Sequence, residues 1–211
     1  MTRLALFGAS GRTGSEVVRR ALERGWKVRA LVRPSSHCEE QAGLELLRGD
    51  LDTPSDLLAT VRNADAVLCV FGPRSAKDPP FAAAATGRIV EAMKSSGVRR
   101  LVCQTGAMIG DLPPNVSAPM RLMAGLVRRQ CPALAADRAE QERLVMTSGL
   151  DWTLAKPPRL HDGPARRRTH ADPALRVGLA SAISRAALAE FLLDQTRSTH
   201  HAGRRLYVCE T

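Results

Sequence analysis

Apolar residues along this chain fall into short, nearly continuous blocks separated by longer stretches in which they recur every three or four positions. The blocks are 3–7 (RLALF), 27–32 (KVRALV), 44–48 (LELLR), 65–71 (DAVLCVF), 99–104 (RRLVCQ), 151–155 (DWTLA) and 205–209 (RLYVC), and each reads as a strand. Between them the spacing predicts helices. Residues 12–24 carry Val17, Val18, Ala21 and Leu22 on one stripe, and 54–62 begin with a Thr53 cap followed by Pro54 at the first helical position. Residues 79–96 are alanine-rich and stop at Gly97, 118–147 are helical with a break at Cys131-Pro132, and 184–195 open on Ser184. Strands alternating with helices imply right-handed crossovers and a parallel sheet. Strands that are apolar throughout imply a sheet covered on both faces. The expectation is a single α/β domain over residues 1–211, with a mostly parallel, doubly wound sheet of about six to seven strands.

The least regular stretches, 106–117 and 156–173, both follow strands. Ligands of open α/β sheets bind beyond the carboxyl ends of the strands, so these loops, the first continuing into the helical segment up to residue 130, are expected to wall a site. In 117–130, Met120, Leu122, Met123, Leu126 and Val127 lie near helical spacing. They suit either a core-facing helix or an adaptable, Met-rich cover over a flat substrate.

The loop after the first strand carries the clearest chemistry. Gly8, Gly11 and Gly14 follow RLALF in a G-x-x-G-x-x-G spacing, with Ser10, Arg12 and Thr13 among them. Glycines allow a tight turn and close backbone approach, and the helix that follows offers free N–H groups and a positive dipole end to a pyrophosphate. This is the dinucleotide cradle of a Rossmann fold. At the end of the second strand, where a carboxylate would hold the ribose 2′-hydroxyl of NAD, the chain has Arg33, and no acidic residue lies between Glu23 and Glu39. Arginine suits a 2′-phosphate, and Arg12 is available to close over it, so NADP(H) is the expected cofactor; the alternative is a pair of solvated arginines. Asp50 and Leu51 after the third strand are expected near the adenine. Phe71, Gly72 and Arg74 after the fourth are expected along the cofactor.

Charge and cysteine usage narrow the remaining classes. The net charge is +10, from 31 basic and 21 acidic residues, but the basic residues are dispersed, the densest run being Arg166–Arg168. Only 2 Trp, 1 Tyr and 4 Phe are present, too few to interleave with the basic residues as base-stacking platforms, so nucleic acid is not an expected partner. The five cysteines form no C-x-x-C pair and the five histidines lack ligand spacing, so neither disulfides nor a metal is expected. No apolar run approaches the ~20 residues of a membrane span, and the start lacks a signal-peptide layout, which predicts a cytoplasmic protein without membrane association.

Several segments together resemble the atypical short-chain dehydrogenase/reductases of the NAD(P)H-binding, NmrA-like type, near the biliverdin reductase B and flavin reductase proteins. They are GASGRTG (8–14), GDLDTPSDL (49–57), DAVLCVFGPR (65–74), RIVEAMKSSGVRRLVCQT (88–105) and SGLDWTLAKPPRLHDGP (148–164). The resemblance implies that Thr105, Gly106, Pro157, Pro158 and Arg159 border the nicotinamide. It also has departures. The Tyr-x-x-x-Lys pair of standard short-chain dehydrogenases is missing, the single tyrosine being Tyr207 in the last strand, away from the helix after strand five. Gly106 and Arg159 stand where biliverdin reductase B has a serine and a histidine, which weakens the case for biliverdin as substrate.

The expectation is therefore an NADPH-dependent reductase, monomeric or homodimeric, passing hydride to a small aromatic or conjugated acceptor such as a flavin or quinone, where the cofactor carries the chemistry and the protein orients it. Arg159 would stabilise charge on the acceptor. Lys156 would do the same, pair with a phosphate, or simply reach solvent. His161 and Asp111 are the candidate proton donors. The alternative is a non-catalytic, NmrA-like NADP(H) sensor with a protein partner.

Overall fold

The structure is a computed structural model, and it describes every residue except 74, 76, 77, 111, 113–115, 166, 167 and 211. The elements run β1 (Arg3–Phe7), α1 (Arg12–Glu23), β2 (Lys27–Val32), β3 (Leu44–Arg48), α2 (Pro54–Val61), β4 (Ala66–Cys69), α3 (Ala82–Ser95), β5 (Arg100–Gln104), α4 (Ala118–Gln130), α5 (Pro132–Met146), β6 (Asp151–Lys156), β7 (Arg159–His161), β8 (Thr169–Asp172), β9 (Ala182–Ser184), α6 (Arg185–Arg197) and β10 (Arg204–Glu210). The main sheet has the order β3-β2-β1-β4-β5-β6-β10-β8. All its pairings are parallel except that of β10 with β8.

Each of the seven apolar blocks is a strand. The sheet gains an eighth, β8, and a separate short parallel pair, β7 with β9, lies beside it. These three additions carry no apolar run: β8 reads THAD, and β7 and β9 span 3 residues each.

Side chains alternate across the sheet and divide the core in two. Leu4 and Leu6 of β1 face the layer that holds Val17 and Ala21 of α1 and Leu188 and Leu192 of α6. Ala5 and Phe7 face the layer of α2, α3 and α5. Two expected helix boundaries have clear causes. Ser184 caps α6 by accepting from the Ala187 N–H at 3.1 Å. Cys131 ends α4 and caps α5, whose first residue, Pro132, has no N–H to leave unsatisfied.

The helix α4 is less buried than a core-facing reading requires. Met120 and Ala124 point inward, while Leu122, Met123 and Leu126 are exposed, Leu122 at 77%. Leu122 and Leu126 border an open groove of about 770 Å³ with Val116, Gly125, Arg121 and Arg129. Among the described residues no helix is long and apolar enough to cross a membrane.

Candidate active site

Strand order reverses between β1, which leads to β2 and β3, and β4, which leads to β5 and β6. Such a switch point opens a crevice at the carboxyl edge of the sheet. The loop from Gly8 to Gly14 enters it from β1. Gly8 has φ +101°, and a Cβ there would stand 2.8 Å from Phe71 N after β4. At Gly14 a Cβ would collide with the carbonyl oxygen of Gly8. The loop is closed by the Gly11 N–H donating to Gly8 O at 3.1 Å. No side chain caps the start of α1 and its first turn holds no acidic residue, so its N–H groups and dipole are left for an anionic ligand. Ser10 and Arg12 are exposed on this loop and Thr13 is buried under it. The residues present thus fit a dinucleotide pyrophosphate, which the missing Cβ atoms leave room to approach.

The other expected contacts lie along the same edge. Arg33 is exposed at the end of β2. Asp50, after β3, accepts from the Asp52 N–H at 3.0 Å, and its own N–H donates to Asp56 Oδ2 at 2.9 Å. Leu51 is half-buried. Phe71 and Gly72 follow β4, and the Phe71 ring packs at a tilt against that of Phe81, centroids 5.9 Å apart. Thr105 and Gly106 follow β5, tied to the end of β6 by Thr105 N–H to Ala155 O and Ala107 N–H to Pro157 O, each 2.9 Å. Pro157 is buried and Pro158 half-buried. Arg74 and Asp111 lie outside the described residues.

The four candidates for chemistry separate. Arg159 and His161 are exposed on β7 and share an open cavity of about 480 Å³ with Asp162 and Glu210. His161 Nε2 stands 3.8 Å from Glu210 Oε2. Arg12 reaches toward the same corner, 3.5 Å from Asp162, which also pairs with Arg185 at 2.7 Å. Lys156 does not reach solvent or the cleft surface. It is fully buried, paired with Glu142 at 2.5 Å and donating to Ile109 O at 2.5 Å. The terminal residue of β6 points into the sheet-to-α5 layer, so a lysine there needs a buried anion.

Tyr207 also differs from the expectation. It is remote in sequence from the helix after β5, but β10 inserts beside β6 and the fold closes that gap. Tyr207 is Lys156's register partner, its ring centroid 5.8 Å from Nζ, and it packs with Met120 of α4 and Ala107.

The helix α5 was expected, but the roles of its buried polar side chains were not. Its buried face is Arg138, Gln141, Glu142 and Val145, a helical stripe that is mostly polar. Arg138 donates to Phe71 O at 3.2 Å and Gln104 O at 3.3 Å, clasping the ends of β4 and β5. Burial lowers its pKa. Asp137 accepts from the N–H groups of Ala82 and Ala83 at 2.9 and 3.0 Å and so caps α3 from a distance. Glu142 accepts from Thr105 Oγ1 at 2.7 Å. The available signal was the i, i+3, i+4 spacing of Arg138, Gln141 and Glu142, continued by Val145 at i+7, on a helix flanked by core strands.

Comparison with known proteins agrees with this architecture. A family model described as NAD(P)H-binding matches residues 8–199. The NAD(P)H azoreductase of Xenophilus azovorans is 30% identical over 156 residues, 73% of this chain and 47% of that protein. A protein of Arabidopsis thaliana is 27% identical, and this chain spans 60% of its length. Among solved structures, the anaerobilin reductase ChuY from Escherichia coli O157:H7 superposes with a TM-score of 0.82 at 21% identity, covering 99% of this chain and 97% of that one. A putative NADH-flavin reductase from Streptococcus pneumoniae superposes with a TM-score of 0.74 at 22% identity over the full length of both. With its switch-point crevice, its glycine cradle and a family match over nearly its whole length, the chain belongs to the NAD(P)H-binding family and has a Rossmann fold.

Proposed function

We propose that this protein is an NADPH-dependent reductase that transfers hydride to a flavin, quinone or other conjugated acceptor. The observation that carries the reading is the contrast between an intact cofactor cradle and the helix α5. Arg138 and Glu142 stand there at i, i+4, the spacing a Tyr-x-x-x-Lys pair would need, and both are buried and engaged with the protein. A carbonyl substrate would find no tyrosine proton on that helix. A conjugated acceptor spreads the incoming charge over its own framework and takes its proton in a separate step. The bound nicotinamide supplies the hydride.

The chain's residues bind and orient. Gly8 to Gly14 hold the pyrophosphate, and Arg33 and Arg12 take the 2′-phosphate, which favours NADPH over NADH. Phe71, Gly72, Thr105, Gly106 and Pro157 border the rest of the cofactor. Arg159 offers positive charge to the reduced acceptor, with His161 beside it as proton donor. The names of the azoreductase, the anaerobilin reductase and the flavin reductase all describe conjugated acceptors, which is consistent with this reading.

The exposed apolar and arginine-bearing surface of α4 favours a second reading, an NADP(H)-sensing regulator with a protein partner docked there. One experiment separates the two. Purified protein is mixed with NADPH and a panel of FMN, riboflavin, quinones and azo dyes, and loss of the reduced nicotinamide absorbance is followed. Turnover with at least one acceptor is expected. Tight NADPH binding with no turnover across the panel rejects the reductase.

A further inference from the structure

One buried charged pair has no part in the mechanism above. Lys156 is 0% and Glu142 2% exposed by side chain, under the carboxyl ends of β5 and β6. Charges so placed are costly unless well paired and hydrogen-bonded, and a merely structural site is filled more cheaply by apolar residues. The pair is linked to the end of β5 through Thr105. Glu142 Oε1, which accepts from Lys156 Nζ, also accepts from Thr105 Oγ1.

Ammonium groups only donate, so Glu142 Oε1 is committed as an acceptor, and the Thr105 hydroxyl hydrogen is directed at it. The hydroxyl's lone pairs then face away from Glu142. Two of the neighbouring backbone donors, Thr105 N–H and Ala107 N–H, are already spent on Ala155 O and Pro157 O. A group arriving at the end of β5 therefore meets an acceptor of fixed orientation, which complements an amide N–H.

We propose that Thr105 accepts a hydrogen bond from the carboxamide N–H of the nicotinamide, and that Glu142 and Lys156 are positioning residues that hold its hydroxyl in the accepting orientation. The inference rests on the reading above, with the nicotinamide at the ends of β5 and β6, beside Thr105 and Pro157.

Calorimetric affinities for NADP⁺, its thionicotinamide analogue, which keeps the NH₂, and its 3-acetylpyridine analogue, which has a methyl in its place, test the contact. The wild type is expected to bind the acetylpyridine analogue about tenfold more weakly than the other two, the effect of one hydrogen bond. Thr105→Val is expected to bind all three alike, and Thr105→Ser to restore the wild-type preference. Glu142→Leu combined with Lys156→Met removes the acceptor that directs the hydroxyl without leaving a buried charge unpaired, and is expected to lose the preference with Thr105 intact. Circular dichroism checks that this variant is folded; if it is not, the Val and Ser variants decide alone. Equal wild-type affinities, or a Thr105→Val protein that keeps the preference, overturn the proposal. A folded Glu142→Leu/Lys156→Met protein that keeps it overturns the positioning role. Absence of turnover with every acceptor, with the preference intact, counts against the reductase reading and not against this contact.

Discussion

At Gly14 the cofactor loop and the first helix approach so closely that a methyl group has nowhere to go. A Cβ would collide with Gly8 O and stand 2.8 Å from Ala9 Cα, both backbone atoms that cannot rotate aside. Gly14→Ala is expected to cost about 1–3 kcal/mol by overpacking and to weaken NADPH binding in parallel, because relief moves the loop that holds the phosphates. Denaturant melts and NADPH titration check both, and a variant with wild-type affinity contradicts the assignment of the loop. Two thiols give an independent test of the core. Cys69 and Cys103 are register partners on β4 and β5 and are buried. Burial pushes the Cys103 thiol up to about 12 and that of Cys69 well above its ordinary value. The thiolate is the reactive form, so at pH 8 native protein is expected to alkylate at the half-buried Cys38 and Cys131 and not at these two until it unfolds. Mass spectrometry after iodoacetamide treatment reads the outcome.

Between elements, α1 and α6 are joined over one face of the sheet by ion pairs from Arg20 and Arg24 to Glu190, with Arg24 also reaching Asp194 at 2.8 Å. Burial pushes the Glu190 carboxyl up, but the hydrogen bond from Arg24 and the charges of Arg20 and Arg24 outweigh it and hold its pKa below the usual value. A carboxyl held lower in the folded than in the unfolded chain stabilises fully above the ordinary carboxylate range and loses that contribution as pH falls through it. Glu190 is 37% exposed, so screening limits the effect of Glu190→Gln to about 1 kcal/mol or less at pH 7. The difference from wild type is expected to shrink toward pH 4 and at high salt, and urea melts across pH follow it. Elements of this kind were only partly legible in the sequence. The seven apolar strands and the glycine cradle were, because a continuous apolar run and a glycine spacing are local signals. The strand β8 was not, because its polar THAD is held by pairing with β10 rather than by its own pattern. The roles of Arg138 and Glu142 were hidden because a polar helical face reads as solvated unless the strands it covers are known. Lys156 and Tyr207 became neighbours only through the parallel pairing of β6 with β10, which no local spacing encodes.

For the molecule as a whole, the net charge of +10 favours encounter with a polyanionic cofactor, but long-range attraction does not tell NADPH from NADH. Discrimination has to come from groups at the 2′ position, and Arg33 stands exposed at the end of β2 where that group is expected. Any ligand that binds only the folded chain stabilises it, by about 2.7 kcal/mol at a hundredfold excess over Kd. In a chain of 211 residues this raises Tm by about 5–11 °C. At equal concentrations NADPH is expected to give a shift of this size and NADH a smaller one. In Arg33→Ala the NADPH shift is expected to fall toward the NADH value, Arg12 remaining, while the NADH shift stays as it was, because the adenosine ribose hydroxyl has no need of the guanidinium. A variant that lost both shifts equally would instead mark Arg33 as a support of the loop. Equal shifts for the two cofactors in the wild type would remove the 2′-phosphate assignment and with it the preference for NADPH.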